Sequence, residues 1–252
     1  MFFRVASAIL MAAALAAAPA HGATIRLVTN PWPPVQGPSM PEGGPSPAII
    51  KAAAKAAGHT AEVTFMPWKR AKAMARAGSY DGLLAAWYTE ARDRHYAYTQ
   101  PYYSMRVGLM AHETFELRRY ETLARLRGHR IGVLEGWGYP KPFKTAAQLD
   151  KVRYPNPEAA VDALLRDRVE LVAMVESVFR HHAARMGAEP SAYRMLHPAL
   201  MTPDLHVALS EKNPEAERLA RALTRGLRRI KANGTYARIL GRYGAMRQLS
   251  ER

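Results

Sequence analysis

Apolar positions in the first part of the chain alternate between the period of a half-buried strand and that of an amphipathic helix. Residues 24–30 (TIRLVTN) have the pattern of a strand, and a helix follows over 48–57 with Ser46 as its N-cap. Residues 61–66 form a second strand pattern, which precedes a helix over 68–77. Strands separated by helices of this length are typical of a mostly parallel sheet, so the pattern predicts an α/β fold.

The same alternation continues through the second half of the chain. Residues 130–134 (RIGVL) form a strand pattern that ends in a glycine turn, and residues 169–175 (VELVAMV) are apolar enough for a strand buried on both faces. A last strand over 204–210 precedes a long amphipathic helix. At 252 residues, the chain has room for one large or two modest domains.

The first residues have the pattern of a secretory signal peptide. Arg4 precedes an apolar run over residues 5–18, and Pro19 and small residues follow it. A membrane anchor would need about 20 strongly apolar residues, whereas this run is shorter and rich in alanine. We therefore predict a signal peptide over residues 1–22 and a soluble, periplasmic mature chain.

Composition excludes several classes of function. The chain has no cysteine, which excludes disulfides, thiolate catalysis, cysteine zinc sites and a lipoprotein anchor. Its 36 Lys and Arg against 21 Asp and Glu give a formal charge of +15. Basic residues are spread along the chain, and export separates it from nucleic acid, so the charge predicts a solvated basic surface and no nucleic-acid partner. Attraction of anionic solutes or membrane headgroups is the alternative.

Motifs for metal and covalent chemistry are missing from the sequence. His181 and His182 are adjacent and point to different sides of a helix, and His112 has no second histidine four residues on. There is no GxSxG, no phosphate loop and no GxGxxG. We predict no metal, no cofactor and no catalytic residue, and acid–base chemistry by Glu176 stays open as an alternative.

One stretch combines a buried strand with a cation placed to bind a ligand. Arg92 follows the apolar run 83–86, and open α/β sheets bind ligands beyond the carboxyl ends of their strands. Its guanidinium can bind a carboxylate through two hydrogen bonds, although a solvated surface arginine is the alternative. Tryptophans also follow predicted strands, which predicts an aromatic cleft unless they only fill gaps between helices. They are Trp32, Trp68, Trp87 and Trp137.

Several fragments, taken in their order and spacing along the chain, resemble one family. They are IRLVTNPWPP, YDGLLAAWYTEAR followed by YTQPYY, RGHRIGVLEG, VELVAMVES and ANGTYARILGRYG. Together they resemble the family 3 periplasmic solute-binding proteins of polar amino acid uptake, and PWKR is similar to a divergent branch of that family. The resemblance implies a two-lobed type II periplasmic binding protein fold in which each lobe is a mixed, mostly parallel sheet flanked by helices. With two hinge crossings, lobe 1 would comprise residues 23–104 plus 207–252 and lobe 2 residues 105–206.

The resemblance also implies roles for individual residues. Arg92, with Thr89, would bind a ligand carboxylate, Trp32 and Trp68 would pack the ligand body, and Glu176 would hold an amine. The full predicted binding set is Asn30, Trp32, Trp68, Arg70, Trp87, Tyr88, Thr89, Arg92, Gly136, Trp137, Gly138, Tyr139 and Glu176. Small hydroxyl residues usual before the arginine are replaced here by Ala85, Ala86, Trp87 and Tyr88. Alanine cannot accept from an α-amino group, so another anionic or aromatic solute fits as well as an amino acid.

The function implied by the resemblance is capture of a small solute by closure of the two lobes. The solute would be an amino acid or another small organic acid, the protein a monomer, and the partner an ABC permease in the inner membrane. One alternative is an exported enzyme similar to cyclohexadienyl dehydratases, with Glu176 or a cleft histidine as general acid. A second alternative is a stand-alone sensor that presents its closed form to a membrane receptor.

Overall fold

The computed structural model describes residues 22–243, which form two sheets flanked by helices. Except for Gly22, the predicted signal peptide lies outside the described residues. The strands are β1 Thr24–Thr29, β2 Thr60–Phe65, β3 Gly82–Trp87, β4 Tyr96–Tyr98, β5 Tyr103–Ser104, β6 Val107–His112, β7 Arg130–Leu134, β8 Asp150–Tyr154, β9 Leu171–Val175, β10 Tyr193–Met195 and β11 Asp204–Ser210. The α-helices are α1 Pro45–Ala56, α2 Trp68–Arg76, α3 Glu90–Asp93, α4 Lys141–Thr145, α5 Pro157–Leu165, α6 Glu176–Arg185, α7 Ala216–Ala232 and α8 Thr235–Arg242. The α/β class predicted from the sequence is confirmed.

The first sheet has the strand order β2-β1-β3-β11-β4, and β5 also pairs with β11. Successive side chains of a strand point to opposite faces, and β1 shows this clearly. Ile25 and Leu27 lie in the core that includes α1 and α7, whereas Val28 lies in a separate cluster with Ala71 and Ala75 of α2. Helices α1 and α2 therefore cover opposite faces of this sheet.

The second sheet has the order β10-β6-β9-β7-β8 and carries α5 and α6. Both sheets are mixed. Strands β1, β2 and β3 are parallel, as are β7, β8 and β9, but β11 and β6 run antiparallel to their neighbours. The predicted mixed sheets are confirmed, with antiparallel pairings about as common as parallel ones.

Two short segments connect the sheets, one between β5 and β6 and the other before β11. They pair with each other: the Met105 N–H donates to the Pro203 carbonyl at 3.0 Å, and the Val107 N–H donates to the Met201 carbonyl at 3.0 Å. Strand β11 joins the first sheet from Asp204 onward, whereas the predicted boundary of lobe 2 lies at residue 206. The division into lobes at the stated residues stays a prediction.

The start of α1 differs from its prediction. The helix begins at Pro45 with Gly44 as its N-cap, and Gly44 has a φ of 99°. Ser46, which we predicted as the cap, is instead buried inside the first turn, where its Oγ lies 2.6 Å from the Tyr102 hydroxyl. A hydroxyl buried beside a tyrosine from a distant segment is fixed by tertiary packing, which the local pattern does not contain.

Candidate functional site

Three tryptophans meet where the carboxyl ends of strands from both sheets face each other. Trp32 follows β1, Trp87 ends β3, and Trp137 follows β7 of the second sheet. Their ring centroids are 6.2 Å apart for Trp32–Trp87, 5.9 Å for Trp32–Trp137 and 6.2 Å for Trp87–Trp137, all edge to face. We call these three side chains the tryptophan cluster. It joins the two sheets through side chains that the sequence placed at strand ends.

Trp32 is positioned by a tight turn. The backbone N–H of Trp32 donates to the Gln36 carbonyl at 2.7 Å. The fully buried Gln36 amide in turn donates to Thr29 Oγ1 at 2.5 Å and to the Asn30 carbonyl at 3.1 Å. These bonds tie the turn back to the end of β1, so the indole is presented from a rigid segment.

Trp137 is positioned by the glycine turn after β7. Gly136 has a φ of 71°, which glycine adopts without strain, and a Cβ at Gly138 would lie 3.7 Å from Trp87 Cζ3. Tyr139 fixes the turn to the sheet, since its hydroxyl accepts from the Leu134 N–H at 2.9 Å and donates to the Ala173 carbonyl at 2.7 Å. Burial raises the pKa of Tyr139 to about 12.

Two polar atoms of the tryptophan cluster have no partner. The indole N–H groups of Trp32 and Trp87 are buried and donate no hydrogen bond to any residue that the structure describes. A buried donor without an acceptor costs about 1–3 kcal/mol, and native structures leave few such groups unexplained. The cluster therefore offers two donors to an acceptor atom of a bound molecule.

Arg92 lies beside Trp68 rather than among the three clustered rings. Its Nη1 donates to the Trp87 carbonyl oxygen at 2.7 Å, and its Cζ lies 5.6 Å from the centroid of the Trp68 ring. The guanidinium is half-buried and lines a cavity of about 380 Å³ on the α2 side of the first sheet. Arg92 thus contacts the backbone of one cluster residue while its side chain points toward α2.

Glu176 is buried at the start of α6 and already has two cationic partners. Its Oε2 accepts from Arg106 Nη2, and its Oε1 accepts from Arg180 Nε at 3.2 Å and Nη2 at 3.0 Å. The side chains of Arg106 and Arg180 are 32% and 25% exposed, so both pairs are partly shielded from water. The carboxylate predicted to hold an amine is therefore occupied within the protein.

The remaining predicted residues lie around this centre. Asn30 donates to the Pro31 carbonyl at 3.1 Å, and Tyr88 is 52% exposed with its ring 5.4 Å from that of Tyr98. Arg70 and Thr89 are exposed. The structure thus groups Trp32, Trp87, Trp137, Gly138 and Tyr139, places Trp68 with Arg92, and leaves the others at the periphery.

Sequence reasoning missed Arg106, which lies in the first segment between the sheets and pairs with Glu176 70 residues away. No local pattern marks such a pair. Arg180 was within reach, because it follows Glu176 by four residues on a predicted helix, the spacing at which side chains on a helix meet. Gln36 was also missed, and its full burial depends on the turn around it.

Within residues 22–243, no group of three or more His, Asp or Glu side chains is arranged to hold a metal ion. Over the same part of the chain, none of the helices has the length and apolar character needed to cross a bilayer.

Comparison with known proteins identifies the family. The family model of bacterial extracellular solute-binding proteins, family 3, matches residues 26–246. The chain belongs to this family. No curated protein sequence matches it.

Several solved structures share the fold of this chain. The second substrate-binding domain of a putative amino acid ABC transporter from Streptococcus pneumoniae is 23% identical, with 87% of this chain and 99% of that one covered and a TM-score of 0.65. An ancestral arginine-binding protein bound to arginine is 21% identical, with 87% and 97% covered and a TM-score of 0.69. A histidine kinase sensor domain is 17% identical, with 88% and 96% covered and a TM-score of 0.69. The type II periplasmic binding protein fold is confirmed.

Proposed function

We propose that this family 3 protein is an exported solute-binding protein that captures a small, carboxylate-bearing solute between its two lobes. The lobes close around the solute by a hinge motion, and the protein delivers it to an ABC importer. The tryptophan cluster carries the proposal, because its rings come from both sheets and meet at their facing edges. A cleft walled by aromatic rings with a few polar groups is the usual form of a small-molecule site.

We infer that a solute binds by separating the rings of the tryptophan cluster. Its three rings touch one another directly, so a molecule entering between the sheets must displace Trp137 from Trp32 and Trp87. The apolar body of the solute replaces the lost ring contacts. Its acceptor atoms satisfy the two indole N–H groups that are unpaired without it.

Charge favours an acid without a free amine. Both oxygens of Glu176 are paired, with Arg106 and with Arg180, so this carboxylate has no free oxygen for an ammonium group. Arg92 adds a cation at the end of β3, where its guanidinium can rotate toward a carboxylate in the cleft. An ammonium group would find no unpaired carboxylate in these groups, and Ala85 and Ala86 offer it no hydroxyl.

Delivery to a permease is supported by the kind of protein that shares the fold. The Streptococcus pneumoniae neighbour is a substrate-binding domain of a putative amino acid ABC transporter. The signal-peptide pattern of residues 1–22 supports export to the periplasm. The protein would act as a monomer, as two lobes of one chain supply both sides of the cleft.

Identification of the bound solute tests the proposal. Freshly purified mature protein is denatured, and the released molecules are identified by mass spectrometry. If none is released, a thermal-shift panel of matched acids with and without an α-amino group is applied, since a ligand at about 100 times its Kd adds about 2.7 kcal/mol of stability. Binding should also change the tryptophan fluorescence as the rings separate. A chain that binds no small solute, or binds one without a change in fluorescence, contradicts a site at the tryptophan cluster.

A sensor role is a second candidate, favoured by the histidine kinase sensor domain that shares the fold. The two functions differ in what happens to the solute. Deletion of the gene should abolish uptake of the identified solute if the protein serves an importer. In a sensor, uptake continues and only the response to the solute is lost.

An enzyme is the less favoured alternative. Both oxygens of Glu176 accept hydrogen bonds from arginines, which suits a carboxylate acceptor and not a proton donor. Incubation with prephenate separates the two ideas, because we expect no product from a binding protein. Turnover of prephenate would favour the enzyme.

A further inference from the structure

The cavity beside Arg92, on the side of the first sheet that α2 covers, is lined by four basic side chains. Lys69, Lys72 and Arg76 come from α2, and Arg92 comes from α3. The cavity has a volume of about 380 Å³, and its wall is completed by His95 and Tyr96. Leu83 of β3 gives it an apolar floor. Cations from two elements thus face one concave space.

The spacing of the three α2 residues explains how they reach the same cavity. Lys69, Lys72 and Arg76 are three and four residues apart, so they project from one face of the helix. The opposite face carries Ala71 and Ala75, which are fully buried against the sheet. Packing of the alanines therefore fixes the direction in which the basic side chains point.

These charges are not neutralised inside the protein. Lys69, Lys72, Arg76 and Arg92 form no salt bridge with any residue from 22 to 243. Asp93 and Glu90 instead act on the Tyr88 phenol, where burial is the main cause that raises the pKa and both carboxylates raise it further. Glu211 lines an adjoining cavity of about 350 Å³, which shares Arg76 and His95 with this one. A concave surface lined by charges of one sign concentrates the electrostatic field and attracts ions of the opposite sign.

Two of these cationic side chains lie close enough to Tyr96, in the wall of the cavity, to act on its phenol. Burial raises the pKa of its phenol, while the charges of Arg92 and Arg76 act to lower it. Guanidinium groups from two different helices therefore act on the same hydroxyl. A bound anion would lie in that shared field, with the phenol as an additional hydrogen-bond donor.

We propose that this cavity is a second binding site, distinct from the cleft between the sheets, and that it takes a phosphate-class anion. A phosphate group carries about two negative charges and three acceptor oxygens, which suits several converging cations better than one carboxylate does. Such a phosphomonoester can belong to a free phosphorylated solute, and the same cations can attract the singly charged phosphodiester in the headgroup of an anionic lipid. Its binding needs no closure of the lobes, because all of its residues belong to one sheet and the helices on it.

The experiment titrates pyrophosphate into the full mature chain at low ionic strength and follows the heat of binding. We expect saturable binding to the parent protein. In Lys69→Gln/Lys72→Gln the affinity should fall by about fivefold to 25-fold, since each exposed charge contributes up to about fivefold. Arg92 is left unchanged, because it is also proposed to act in the cleft.

The matched control is Lys51→Gln/Lys55→Gln on α1. Both lysines are exposed, and α1 covers the opposite face of the same sheet, so the control removes the same net charge at a distance from the cavity. Its affinity for pyrophosphate should stay within twofold, to about the precision of such a measurement. Thermal unfolding of both variants checks that each is folded.

A second arm distinguishes the sources of the phosphate. Sedimentation with phosphatidylcholine vesicles, with and without phosphatidylglycerol, measures binding to lipid. Loss of pyrophosphate binding in the cavity variant alone supports a free anion, and loss of phosphatidylglycerol binding in that variant alone supports a lipid headgroup. Absence of both kinds of binding, or equal losses in the two variants, overturns the proposal. The cleft solute should bind the cavity variant normally, so failure here leaves the proposed function intact.

Discussion

The guanidinium of Arg92 has one hydrogen bond, to the Trp87 carbonyl, and one ring contact, with Trp68. Its other N–H groups donate to no residue in the described part of the chain. Arginine held on one side by a backbone oxygen keeps a free edge for a carboxylate. We propose that this single side chain serves the cleft site, and it also lines the cavity on the α2 side.

Arg92→Ala should lower the affinity for the cleft solute by about thirtyfold to a few thousandfold. Loss of one partner of a desolvated charge pair costs about 2–5 kcal/mol. Calorimetry with the identified solute measures the effect. Arg94→Ala is the control, since Arg94 is exposed two residues further along the chain. Binding by the Arg92 variant within threefold of the parent would remove Arg92 from the cleft site.

Tyr139 should make stability sensitive to alkaline pH. Burial raises its pKa to about 12, above the ordinary value of about 10, so the folded protein holds the phenol proton more tightly than the unfolded chain. Its contribution is complete below pH 10 and is lost as the pH rises through 12.

The variant Tyr139→Phe tests this contribution by urea unfolding at neutral and alkaline pH. At neutral pH it should lose about 1–3 kcal/mol, because the Leu134 N–H and the Ala173 carbonyl lose their partner. Its further loss between about pH 10 and pH 12 should be smaller than that of the parent. Tyr154→Phe removes a hydroxyl that bonds to no residue in the described part of the chain, so this variant should unfold like the parent at neutral pH. Parallel alkaline losses in the Tyr139 variant and the parent would contradict the assignment.

Helices α1 and α7 touch through their backbones. Gly226 in α7 is buried, and a Cβ at this position would lie 1.9 Å from the Ala53 carbonyl oxygen of α1. Glycine is therefore required by the distance between two helices and not by its own dihedral angles. This contact fixes how α7 covers the first sheet.

The same substitution should have opposite effects at two glycines. Gly226→Ala should lower the free energy of unfolding by about 1–3 kcal/mol or more, because the added methyl group forces the helices apart. Gly241→Ala in α8 meets no atom within 4 Å and should raise it by about 0.5–1 kcal/mol through helix propensity. Urea unfolding of both variants measures the difference. A Gly226 variant as stable as the parent would show that the helices separate freely.

Elements with a strong local pattern could be predicted from the sequence. Strands β7 and β11 have the predicted bounds, and Asn156 caps α5 by accepting from the Ala159 N–H at 2.8 Å. The two- and three-residue strands β4, β5 and β10 were not predicted, because their few residues become strands only through pairing with β11 or β6. Such short strands depend on a partner far along the chain.

The candidate site was predictable to a similar extent. Strand ends of an α/β fold converge, so Trp32, Trp87 and Trp137 could be expected in one cleft. The direction of the Arg92 side chain and the pairing of Glu176 with Arg106 depend on rotamers and on contacts across many residues. No sequence pattern encodes those choices.

Over the whole molecule, Trp137 joins the two sheets through its contacts with Trp32 and Trp87. Each edge-to-face pair is worth about 0.5–1.5 kcal/mol beyond the area that it buries. Two such pairs are enough to set the balance between a closed and an open arrangement of the lobes. In the proposed function, the solute and these rings would compete for the same space.

Trp137→Ala should shift the protein without solute toward the open arrangement by about fivefold to 150-fold, from the loss of about 1–3 kcal/mol of ring contacts. Small-angle X-ray scattering should then give a larger radius of gyration than for the parent. Trp68→Ala is the control, because Trp68 contacts Arg92 and not the tryptophan cluster. An unchanged radius in the Trp137 variant would mean that the cluster does not hold the lobes together.

The two segments that connect the sheets are hydrogen-bonded to each other, from Met105 to Pro203 and from Val107 to Met201. Two separate tethers would let the halves slide, twist or swing independently. Two segments that are hydrogen-bonded side by side bend together easily but resist sliding past each other. In the proposed hinge motion the halves would therefore part in essentially one direction, and on closing Trp137 would return to the same two rings.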